Sequence, residues 1–114
     1  MPGTETELRL VVSNVPDGSV AATIAHALVD ERLAACVNVL GACRSVYRWQ
    51  GAVETADEIT LLVKTTRVRH DECVRRLAAL HPYDVPEIVT LAPEQVWPAY
   101  AQWAVNETAS DADS

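Results

Sequence analysis

LAACVNVLGACRSVYRWQGAVETADEITLLVKTT, residues 33–66, decides the fold, because it reads as two long β-strands folded back on each other through one tight turn. β-Branched and aromatic residues dominate both arms and no helical period fits. Gln50-Gly51 is a two-residue connection in which glycine accepts the positive φ that a hairpin turn requires. With that loop, Trp49 faces Ala52, Tyr47 faces Glu54 and Arg44 faces Asp57, giving a cross-strand ion pair. The same register would put Val37 and Val39 on the opposite face from Ile59, Leu61 and Val63. One extra residue at Gly41-Ala42 reunites them, so a β-bulge is predicted there. Arms of about fifteen residues exceed the usual five or six, so the distal half should project beyond the domain.

Working outward, Leu8, Leu10 and Val12 alternate with Arg9, Val11 and Ser13 in a short strand that is apolar on both faces, as a central strand is. Asp17 or Ser19 can cap a following helix on which Val20, Ile24, Ala27 and Leu28 recur. After Thr66 a second amphipathic helix is predicted from near Val68, with Cys73, Leu77 and Leu80 on one side, ended by His81-Pro82. His81 to Glu87 (HPYDVPE) reads as a loop, Ile88 to Leu91 as a short strand, and Pro93 to Gln95 as the opening of a last helix bearing Trp97, Tyr100, Trp103 and Ala104. The order gives an α+β, ferredoxin-like (split βαβ) domain over 1–106 with an added C-terminal helix, and an acidic tail, 107–114, expected to be disordered. Right-handed crossovers put the two main helices on one face of the sheet. Cys36, Asn38, Leu40, Thr60, Leu62 and Val11 are then expected on the other. That open face and the projecting ribbon predict a closed homo-oligomer.

At 114 residues, 49% hydrophobic and 22% charged, the chain supports one domain with a real core. A formal charge of −7 argues against a nucleic-acid partner. Three cysteines without local pair spacing do not make a disulfide framework, and neither a signal peptide nor a membrane-length apolar run is present, so a cytoplasmic protein is expected.

LAACVNV (Leu33 to Val39), SVYRWQG (Ser45 to Gly51), LLVKT (Leu61 to Thr65), HPYDVPE and the Tyr100, Trp103 pair together resemble the CutA family of divalent-cation tolerance proteins, in order and over nearly all of Leu10 to Trp103. The resemblance implies a homotrimer similar to PII-type signalling proteins, in which each long hairpin extends its neighbour's sheet. It also implies a part in tolerance to copper or another divalent cation, without an established reaction.

By the same resemblance Cys36 and His81 are candidate metal ligands. Thiolate and imidazole suit copper or zinc, and Asp84 or Glu87 could complete the set. No CxxC or HxxxH spacing exists, so the ligands would have to converge through the fold or across subunits. Where some relatives carry a further cysteine at the end of the first strand, this chain has Ser13-Asn14. Cys36 reads equally as a small buried apolar residue. A second group, Tyr47, Trp49, Lys64, Tyr83 and Glu87, falls in motifs matching the family's inter-subunit cleft, with Glu87 the expected partner of Lys64. Cys73 reads as core, and His26 and His70 as solvated. No nucleophile with base and orienter, and no glycine-rich phosphate loop, is legible, so neither an enzyme nor an organic cofactor is expected. The alternative to metal binding is a PII-like signalling or scaffold trimer taking an anionic ligand in the cleft.

Overall fold

The computed structural model describes residues 7–109. The elements are β1 (Leu8–Val15), α1 (Gly18–Asp30), β2 (Cys36–Trp49), β3 (Ala52–Thr66), α2 (His70–Leu80), β4 (Val89–Leu91) and α3 (Pro98–Glu107). The sheet order is β2-β3-β1-β4 and every neighbouring pair is antiparallel, the α+β ferredoxin-like arrangement expected from the sequence.

The hairpin has the predicted register. Gln50 (φ 50°) and Gly51 (φ 82°) both take the left-handed conformation of a type I′ turn, whose twist matches that of the strands. Tyr47 faces Glu54, and Arg44 faces Asp57, with Nε 3.1 Å from the carboxylate. Val39 faces Leu61 but Ala42 faces Ile59, so Leu40 and Gly41 together oppose Thr60. This is the expected bulge, and it keeps Val37 and Val39 on the same face as Leu61 and Val63. Past it, Val46 (67% exposed) and Val53 (64%) lie bare. The radius of gyration is 15.2 Å, against about 13 Å for a compact chain of this length; the arm accounts for the excess.

Asp17 caps α1, its carboxylate accepting the Val20 N–H at 2.9 Å. Ala21, Ile24 and Leu28 of α1 and Cys73 and Leu77 of α2 then pack on Val11, Val15, Leu61 and Val63 to form the main core. Each of the larger aliphatic side chains stabilises the fold by about 1.5–3 kcal/mol on burial. Val11 therefore belongs to the helix-covered face, not to the open one, because its register partner is Val63.

Two helices begin later than their patterns suggested. α2 starts at His70, and Val68 stays 73% exposed in the preceding turn. α3 starts at Pro98, not near Pro93. Proline has no N–H to give, so it fits the first helical position, where none is needed; a start at 93 would put it in the second turn. α3 packs Ala104 against Leu8 and Ala35, with Leu10, Val96 and Tyr100 around them, and so covers one end of the second face. At the start of the tail expected to be disordered, Glu107 closes α3 and Thr108 is buried, donating from Oγ1 to the Ala104 carbonyl at 2.8 Å. Residues 110–114 of that tail lie outside the described residues. Among the described residues, the rest of the second face, including Asn38, Leu62, Val12, Val89 and Leu91, has no helix over it.

Candidate functional site

The bulge, the hairpin and the 81–87 loop build one cleft. Beyond the bulge Ser45, Tyr47 and Trp49 of β2 alternate onto the open face, and Glu54 and Glu58 of β3 come with them as register neighbours. Opposite stands the loop that leaves α2, held there by prolines that cannot continue the helix. The walls enclose about 770 Å³ and include Asn14, Tyr47, Trp49, Glu54, Glu58, Tyr83, Asp84 and Glu87.

Hydrogen bonds fix the loop to the sheet. His81 is buried; its Nδ1 accepts the Tyr83 N–H at 3.2 Å and its Nε2 lies 2.8 Å from the Asn14 carbonyl. A carbonyl only accepts and an amide only donates here, so the ring is the Nε2–H tautomer with both nitrogens engaged. Tyr83 stacks at a tilt on His81, ring centroids 4.7 Å apart, and its hydroxyl donates to Glu58 Oε2 at 2.8 Å. Burial, then the hydrogen bond and charge of Glu58, push the Tyr83 phenol from 10.0 up to about 12. Asn14 Nδ2 donates to Glu87 Oε1 at 3.3 Å, while Asn14 Oδ1 accepts from Thr60 Oγ1 at 2.7 Å.

Of the predicted cleft residues, Tyr47, Trp49, Tyr83 and Glu87 do meet. Lys64 does not join them. It sits in register with Leu10 and Cys36 on the other side of the bulge, its ammonium 5.8 Å from the Tyr100 ring centroid. Glu87 is tied to Asn14, four residues further along β1, which is about 13 Å of strand. The expected Lys64–Glu87 pair is therefore not formed within one copy of the chain, among the described residues. Among the described residues the cleft wall holds four carboxylates and no lysine, arginine or histidine, the opposite of what an anionic ligand requires.

The predicted metal ligands separate too. Cys36 is half-buried beside Lys64, whereas His81 is anchored at Asn14, two strands across and about 13 Å along. Asp84 and Glu87 line the cleft away from Cys36. Among the described residues no three His, Cys, Asp or Glu side chains converge as a metal would need. Cys73 is core as expected, and burial pushes its thiol from 9.0 up to about 11.

Two features escaped the sequence. Glu58 is nine-tenths buried, yet its alternation with Ile59 gave no sign that a tyrosine from a loop would cap it. His70, expected in solvent, bridges Asp71 through Nδ1 (2.9 Å) and Thr90 through Nε2 (2.7 Å), clamping α2 to the edge strand β4. The signal available for the second was only that a histidine opens α2 and a threonine sits in β4.

Residues 9–107 match the model of the CutA1 divalent ion tolerance proteins. The chain is 48% identical over 99 residues to the divalent-cation tolerance protein CutA of Thermus thermophilus, covering 87% of this chain and 96% of that one. It is 36% identical over 99 residues to mouse protein CutA, of which it spans 56%. The crystal structure of CutA from Xylella fastidiosa superimposes with a TM-score of 0.89 at 42% identity, covering 91% of this chain and all of that one. With the fold, the motifs and the hairpin geometry in agreement over this length, the chain belongs to the CutA1 divalent ion tolerance family.

Proposed function

We propose that the protein is a cytosolic homotrimer that takes part in tolerance to divalent metal ions by binding cations, with no catalytic step of its own. The observation that carries this reading is the cleft wall, which among the described residues is lined by four carboxylates and by no cationic side chain. Soft ions such as copper have a second place to go, the Cys36 thiol on the open sheet face, where further ligands would come from a neighbouring copy. His81 is available to such an ion only if it gives up the Tyr83 amide.

Calorimetric titration with copper of the native protein and of Cys36→Ser separates these places. A loss of the tightest binding step in Cys36→Ser supports a thiolate site on the open face. Unchanged copper affinity would remove Cys36 from the reading, and absence of any copper binding would remove the metal reading itself. A signalling trimer that binds an anion in the cleft is disfavoured by the charge of its walls.

A further inference from the structure

We infer that a charge pair between subunits closes the assembly, with the Lys64 ammonium of each copy on the Glu58 carboxylate of the next. The inference rests on the homotrimer reading and assigns the contact that joins the copies.

Two charges of opposite sign are left over within one chain. Glu58 is only 9% exposed, and Tyr83 donates to its Oε2 at 2.8 Å. Among the described residues no basic side chain lines the wall around it, and Oε1, which is not sealed from the outside, has no partner. Lys64, the chain's only lysine, is half-buried on the open face between Leu10 and Cys36. Its ammonium meets no carboxylate among the described residues, only the Tyr100 ring at 5.8 Å. Other acids are weaker candidates for it. Asp57, Glu7, Glu72 and Glu31 already pair with arginines, and Glu87 is tied to Asn14.

The two groups cannot meet within one copy. Even-numbered residues of β3 from Glu54 to Lys64 alternate onto the same face, so Glu58 and Lys64 share a side of one strand. Six residues of strand hold them about 20 Å apart, well beyond the reach of a lysine stem. A second copy removes that restriction. Val89 (48% exposed) and Leu91 (49%) flank the Lys64 side of the open face, and a copy seated on that face takes the ammonium out of water. An ammonium so covered needs an opposite charge from whatever covers it. Glu58 stands where the long arm leaves its own core, opposite Cys43 just past the bulge, and is carried toward a neighbour with the arm. In a cyclic trimer the contact is head to tail: each copy offers Lys64 to one neighbour and Glu58 to the other. Glu54, Asp84 and Glu87 stay on the cleft wall for cations.

A carbodiimide tests the contact, because it condenses a lysine amine with a carboxylate only where the two touch. Treatment of the native protein should give covalent dimers and trimers on a denaturing gel, and peptide mass spectrometry should find Lys64 joined to Glu58. Lys64→Arg keeps the charge, so it should keep three chain masses in light scattering while losing that bond. Lys64→Met and Glu58→Gln, which keep the stem and the acceptor for Tyr83, should each raise the concentration at which the assembly dissociates by about tenfold or more. The double variant should be no less stable than the worse single one, as partners in one contact are not additive. Joining of Lys64 to other carboxylates only, additive losses in the double variant, or an assembly unaffected by both single substitutions overturns the proposal. A native mass of one chain removes the homotrimer and the pair together, whereas a native mass of three chains without the Lys64–Glu58 bond removes the pair alone.

Discussion

Tyr83 and Glu58 show how much a single hydrogen bond decides. Among the described residues the phenol is the one hydrogen-bond partner of a carboxylate that is nine-tenths buried, so Tyr83→Phe leaves that charge without a donor from its own chain. The expected cost is about 1–3 kcal/mol of stability, seen as a lower urea midpoint with an unchanged slope. An unchanged midpoint would mean that Glu58 is satisfied by other means. The pH dependence follows from the raised phenol. Because the folded state keeps Tyr83 neutral above its ordinary value of 10.0, the stability this adds is complete below pH 10.0 and is lost as pH climbs through about 12. In an ultraviolet titration of the tyrosinate band the step at about pH 12 should vanish in Tyr83→Phe. Cys36 illustrates the other case: its residue type suggested a ligand, but what a thiol can bind depends on neighbours that a strand position does not name.

At the scale of elements, the hairpin is the most sequence-determined part of the molecule. Its turn type, register and bulge all follow from local chemistry, since alternate residues must face opposite ways and only one bulge position keeps the apolar set together. The turn can be tested directly. Gly51 has φ +82°, so Gly51→Val should cost about 1–2 kcal/mol in thermal melts. Gln50→Asn, at φ 50°, should raise the melting temperature, because asparagine tolerates the left-handed region better. A melting temperature unaffected by both substitutions would show that the arm's turn contributes nothing to folding. The late starts of α2 and α3 belong to this scale as well: amphipathic patterns run past helix ends, and backbone donors decide where a helix begins.

The whole molecule is an elongated body, 47 × 30 × 22 Å, with a bare arm and a half-covered sheet face. In the proposed homotrimer further copies cover this surface, and light scattering at micromolar concentration should then return three times the chain mass. Leu62→Glu, on the open face, should lower it. A native mass of one chain would undo the assembly and the Cys36 ligand set that depends on it. The sequence by itself determined the order of elements, the hairpin's register, the bulge and the family, because each rests on alternation, turn chemistry or motifs that are local in the chain. Only the tertiary structure decided which candidates meet: it placed Lys64 under Tyr100, tied His81 to Asn14, and buried Glu58 beside Tyr83. The reason is geometric, since residues 25 to 67 positions apart become neighbours only through strand pairing and loop docking, and no local pattern records those distances.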